Sequence, residues 1–137
     1  MKIPLMVTSD YATIDPITGK LHILGVFRAI YASTFPCQHK RMCLALTIEG
    51  EIADSENPHE LFVTLTDEDG THVFSLKGAF ELPQGMGGNR PQCNLLVEFN
   101  DLRFERPGEY CFYLTINGDE LDEYTAIQVL QREVSSV

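Results

Sequence analysis

Tryptophan is absent from this chain, basic residues are scarce, and no apolar run is long enough to span a membrane. Each gap excludes something. Ten Lys and Arg against twenty Asp and Glu leave a formal charge of −10. A field of that sign repels phosphate backbones and anionic lipid, so neither nucleic acid nor a membrane is expected as a partner. The opening MKIPLMVTSDYA carries one lysine and turns polar before an apolar core builds up. That is a poor secretion signal, and the cytoplasm is the expected compartment. Signatures of catalysis are missing too: there is no Gly-x-Ser-x-Gly elbow, no His-Glu-x2-His and no Gly-Lys-Ser/Thr phosphate loop. The glycine run from Gln84 to Arg90 follows Pro83 and opens no helix, so it reads as a mobile connection and not a phosphate cradle. The chain is therefore expected to be no enzyme and to carry no cofactor.

What the sequence does contain is the grammar of β-structure. In PGEYCFYLTINGDELD, from Pro107 to Asp122, the residues Tyr110, Phe112, Leu114 and Ile116 share one face of an alternating strand. Glu109, Cys111, Tyr113 and Thr115 take the other. Asn117-Gly118 supplies the positive-φ pair of a type I′ hairpin. The same pattern marks strands at Ile3 to Val7, Met42 to Glu49, Leu61 to Thr66, Leu95 to Phe99 and Tyr124 to Leu130. Leu21 to Tyr31 forms one or two strands broken by Gly25, and Asp69-Gly70 turns into a strand carrying Phe74, Leu76, Phe80 and Leu82, with Gly78 as a candidate bulge. About eight short strands without a helical period predict an all-β fold, an antiparallel immunoglobulin-like β-sandwich, with a barrel as the alternative. A chain of 137 residues, 44% apolar, fits one domain over residues 1–132, with 133–137 as a frayed tail. Alternating strand directions gather loops 15–19, 51–58, 83–91 and 117–120 at one end, and 33–41, 67–71 and 100–108 at the other.

Two segments carry a resemblance. GKLHILGVFRAIYASTFP, from Gly19 to Pro36, and LRFERPGEYCFYLTINGDEL, from Leu102 to Leu121, are similar to a family of small bacterial proteins of unknown function. Its pattern joins Gly-Lys-Leu, a Gly-Val-Phe strand, a Phe-Pro turn and a closing Pro-Gly-Glu-Tyr strand. The resemblance spans nearly the whole chain, implies an immunoglobulin-like or related sandwich standing alone, and brings no catalytic residues. Leu102 to Tyr110 also resembles a tyrosine corner. Cys111 follows Tyr110 directly and so faces the opposite side, which argues against the familiar intersheet disulfide.

Cys37, Cys43, Cys93 and Cys111 are expected as reduced thiols, because a sizeable core needs no staples. Cys37-x-His39-x3-Cys43 offers three ligands where structural zinc takes four, so no metal is expected there. From Glu49 to Asp69 the chain carries eight carboxylates and no Lys or Arg. Glu51, Asp54 and Glu56 would share an end with Asp119 and Glu120, an arrangement open to calcium, although solvated loop charge is the plainer reading. His22, His39, His59 and His72 are scattered.

The expected role is a non-catalytic protein-interaction module with another protein as partner and an oligomeric state the sequence does not specify. The candidate contact loop is Phe35, Pro36, His39, Lys40 and Arg41, which joins an aromatic, a fixed turn and two cations on an acidic chain. Two alternatives use other features: a small-ligand or calcium-binding sandwich with acidic end loops, and a thiol or histidine enzyme.

Overall fold

The computed structural model describes residues 1–133; residues 134–137 of the expected tail lie outside the described residues. The strands are β1 Lys2–Ile14, β2 Leu21–Val26, β3 Ala29–Ala32, β4 Cys37–Glu49, β5 His59–Thr66, β6 His72–Phe80, β7 Gln92–Phe104, β8 Gly108–Ile116 and β9 Asp119–Gln131, with a 3-10 turn at Ile52–Glu56. They form two packed sheets, ordered β2-β1-β4-β7 and β3-β9-β8-β5-β6. Two expectations change here. The segment after Leu21 takes the two-strand form, but its strands lie in different sheets and part at Phe27-Arg28 and not at Gly25, giving nine strands among the described residues where about eight are expected. The crossing occurs at Phe27-Arg28, where Phe27 N–H bonds the Thr8 carbonyl and the Arg28 carbonyl accepts from Gln128 N–H. The second change is that β3 runs parallel to β9, so the pairing is not wholly antiparallel. Among the described residues no helix is long and apolar enough to cross a membrane.

Period-two alternation builds the core. Met42, Leu44, Leu46 and Ile48 of β4 face Leu61, Val63 and Leu65 of β5 and Tyr110, Phe112, Leu114 and Ile116 of β8, and all are buried. The Phe99 ring lies 5.3 Å from both Phe74 and Phe112. Asn117 at φ 52° and Gly118 at φ 84° close the β8–β9 hairpin in two residues, as their sequence predicts. Gly78 makes no bulge: it pairs directly with Leu61, and the register shift falls at Leu65 and Thr66.

β4 and β7 stay in one register from Cys37–Phe104 to Glu49–Gln92, yet both change their inward face halfway. Cys37, Leu102 and Phe104 point into the core below the change, Met42 and Phe99 above it. The change takes two outward residues on each strand, Lys40-Arg41 against Asn100-Asp101, all exposed, with Asp101 at φ 56°. Broken alternation is why the sequence predicts a strand only from Met42. The strand in fact begins at Cys37, so of the candidate loop only Phe35 and Pro36 lie in a connection, while His39, Lys40 and Arg41 belong to β4.

β1 is equally long and bends. Leu5 to Ser9 pair with β4, after which Tyr11 to Ile14 pair with β2 alone. The hairpin folds back over the outer face of the first sheet, so that Ala12 packs on Cys43 and Ala45, with Leu21, Ile23 and Leu96 alongside. Asn94 Nδ2 ties its tip down through the Gly19 carbonyl at 2.8 Å. The bend sits at Asp10 and Gly25; Gly25 has φ +71°, and a Cβ there would stand 2.5 Å from the Asp10 carboxylate. Gly25 therefore bends β2 from within and does not divide two strands.

Phe112→Ala is expected to cost about 3–5 kcal/mol, read as a fall in the urea midpoint, since its ring is wholly enclosed. Gly25→Val should lose at least about 1 kcal/mol and expose Cys43 to thiol reagents under native conditions; unchanged stability and labelling would contradict the bend.

Candidate functional site

Five of the eight carboxylates of the acidic run meet cations from distant segments. Arg90 reaches Glu49 at 3.7 Å and Glu51 at 3.5 Å, Lys77 reaches Glu60 at 3.6 Å, and Arg106 holds Asp67 at 3.0 Å and Asp69 at 2.6 Å. The Asp54 carboxylate accepts the Glu51 N–H at 2.7 Å. Among the described residues no group of three or more His, Cys, Asp or Glu side chains is placed to hold a metal ion. The face change in β4 also splits the cysteine–histidine pattern. Cys37 packs on the inner core and His39 against Phe27 at 5.6 Å, whereas Cys43 lies under the folded hairpin.

His59 is buried and committed to the fold. Asn117 Oδ1 accepts the Glu60 N–H at 3.0 Å, which fixes the amide orientation and leaves Nδ2 to donate to His59 Nδ1 at 2.9 Å. His59 Nε2 then carries the hydrogen and donates to the Asp54 carbonyl at 2.6 Å. This chain ties the 3-10 turn, the start of β5 and the β8–β9 hairpin. His72 bonds Ser75 and the Cys111 thiol bonds Glu109, so neither forms a thiol–imidazole couple. All four cysteines are free, and burial pushes the Cys37, Cys93 and Cys111 thiols up, away from the thiolate a nucleophile requires.

At the opposite end Asp67 joins the β5–β6 and β7–β8 turns. Its carboxylate accepts the Thr71 N–H at 2.9 Å, the Asp69 N–H at 3.0 Å and Arg106 Nη2 at 3.0 Å. Tyr110 Oη donates to the Arg106 carbonyl at 2.6 Å, which is the tyrosine-corner contact. Thr71 first, and then Arg106 and Asp69, hold the Asp67 carboxyl below the ordinary carboxylate range.

The predicted contact residues separate by role. Phe35 is half-buried on the core and His39 packs on Phe27, while Lys40 and Arg41 are exposed. Arg41 lies 3.2 Å from Glu98 and stacks over Tyr11 with 5.1 Å to the ring centroid. Tyr11 is 43% exposed and pairs with Leu24, itself 63% exposed, and Val26 on the same strand is 59% exposed. The aromatic beside the cations is therefore Tyr11 and not Phe35. Sequence reasoning misses it because Tyr11 is aligned with Arg41 by the β1–β4 register, a pairing between segments far apart in the chain.

Residues 4–129 match the model of a family of unknown function, DUF6941. No curated protein matches the sequence. Among solved structures, an alkylpurine DNA glycosylase AlkC from Pseudomonas fluorescens, bound to DNA containing an abasic site analog, aligns at 16% identity and a TM-score of 0.47 over 75% of this chain and 27% of that one. A beta-glucosidase from Listeria innocua, in complex with isofagomine, aligns at 11% identity and a TM-score of 0.47 over 91% of this chain and 16% of that one. The chain thus spans under a third of either protein, and neither carries its chemistry here.

A carboxyl held low in the fold stabilises it above the unfolded pKa and loses that contribution as pH falls through the lower folded value. Asp67→Asn should accordingly lower stability at neutral pH and flatten the acid limb of a melting-temperature profile. An unaltered profile would remove Asp67 from the acid response.

Proposed function

The chain belongs to the DUF6941 family of unknown function, and we propose that it is a non-catalytic module that binds another protein through the face where Lys40 and Arg41 meet Tyr11. One observation carries this reading. Arg41 is stacked on a half-exposed tyrosine beside the exposed Leu24 and Val26, with Lys40 adjacent in sequence. Tyrosine and arginine over apolar ground are the composition that interface centres favour over solvated surface. β2 is also an edge strand, paired on one side to β1, so its free backbone groups support addition of a partner strand. Phe35, Pro36 and His39 serve this face from behind by anchoring the entry to β4. The tyrosine corner supports an immunoglobulin-like reading of the scaffold, and the four free thiols fit a reducing, cytoplasmic setting.

Arg41→Glu would set a second carboxylate against Glu98, so Lys40→Glu combined with Leu24→Ser is the cleaner test. The pair should weaken binding to a partner co-purified from native cells by at least about tenfold while leaving the melting temperature nearly unchanged. Retained affinity, or turnover of a small molecule by the pure protein, would overturn the reading.

A further inference from the structure

The chain treats its two outer faces differently. On the first sheet, Cys43 and Ala45 face outward and are buried because the β1–β2 hairpin lies over them. The second sheet also has apolar residues outside, but among the described residues no element lies over them. Phe62, Tyr113 and Tyr124 sit at outward positions of β5, β8 and β9, whose partners at the inward positions fill the core. Thr64 pairs with Tyr113 and Tyr113 with Tyr124, so the two tyrosines adjoin, their ring centroids 5.6 Å apart. Tyr124 is 56% exposed. A solvated outer face is ordinarily polar, so an uncovered aromatic centre there is the informative departure.

The surrounding charge identifies what could cover it. Lys77 stands over the Phe62 ring at 5.6 Å but is already paired with Glu60. Glu109 lies outward on β8 and Glu120 outward beside Thr115, both exposed, with Gln128 as the bonded neighbour of Glu109. The rim beside the tyrosine pair is therefore negative, while Lys77 and Arg132, the latter stacked over Tyr31 at 5.4 Å, stand toward the two edges of the sheet. Two copies meeting face to face about a twofold axis would oppose these carboxylates on chains that each carry −10. A basic surface would complement them.

We propose that the outer face of the second sheet, centred on Tyr113 and Tyr124, is a docking surface for a protein partner whose aromatic or aliphatic centre is flanked by Lys or Arg. It is separate from the Tyr11–Arg41 face and stands whether or not that face binds.

A random-peptide library displayed on phage, selected against the intact folded chain, tests this directly. Recovered peptides should combine an aromatic or branched centre with flanking Lys or Arg, and their binding should weaken with added salt. Synthetic versions should perturb the backbone amide resonances of Phe62, Tyr113 and Tyr124. Tyr113→Thr with Tyr124→Thr keeps strand-compatible residues and should cut peptide affinity at least about tenfold with little change in melting temperature. Acidic peptides, perturbation confined to the Tyr11–Arg41 face, or full affinity in the double variant would overturn the proposal. So would concentration-dependent dimerisation abolished by Tyr124→Thr in sedimentation, which would assign the face to a second copy. If the double variant is unfolded, Gln128→Lys on the same face provides the second test: it should weaken the basic peptides, and unchanged affinity would count against the acidic rim.

Discussion

β4 has no solvent face from Met42 to Leu46, and the rest of the molecule is arranged around that fact. All five residues are buried. Large side chains, Met42, Leu44 and Leu46, point to the opposing sheet, and small ones, Cys43 and Ala45, point outward beneath the hairpin. A strand buried on both sides must be apolar at every position, and the small residues set how closely the covering layer approaches. The bend at Asp10 and Gly25 exists to deliver that layer. The β1–β4 register that leads into the bend also sets Tyr11 beside Arg41, so the strand that covers the core borders the mixed apolar and cationic surface.

Charge is organised by the fold and not by the sequence. Read linearly, Glu49 to Asp69 is an unrelieved acidic run; folded, it meets Arg90, Lys77 and Arg106 at separate places. Exposed pairs of this kind contribute little stability each. Their effect is to divide the surface: five of the eight carboxylates of the acidic run meet a cation, Lys40 stands exposed next to Arg41, and the second sheet keeps carboxylates around its tyrosines. Surfaces of opposite character thus arise on a protein whose net charge alone would suggest only solubility.

The β8–β9 hairpin was legible from sequence because every level agreed: alternation, turn dipeptide and burial of Tyr110, Phe112, Leu114 and Ile116. The gathering of end loops also followed from strand direction, and the contacts of Asn117 with Glu60 and of Arg106 with Asp67 display it. What escaped was each place where local pattern and tertiary context diverge. Lys40-Arg41 looked like a loop because two outward residues in succession break a period of two, although the register with β7 is the same on both sides of them. Gly25 looked like a break because a bend and an interruption leave the same mark in sequence. Phe35 is the aromatic near the cations along the chain, whereas the aromatic beside Arg41 in space is Tyr11, thirty residues away.

The parallel pairing of β3 with β9 joins Ala29–Ala32 to Gln128–Gln131, segments far apart in the chain. During synthesis β3 emerges early and β9 last of the strands, so the edge of the second sheet has no template until translation of this region is nearly complete. Closing so long a loop is entropically costly and slow, and it fixes an order of assembly: the β1–β2 hairpin and its cover of β4 can form from the nascent segment, while β3 waits. Until β9 arrives, β8 presents a bare hydrogen-bonding edge and Tyr110 and Phe112 lack one flank. In that half-built state the open edge of β8 is exposed to mispairing.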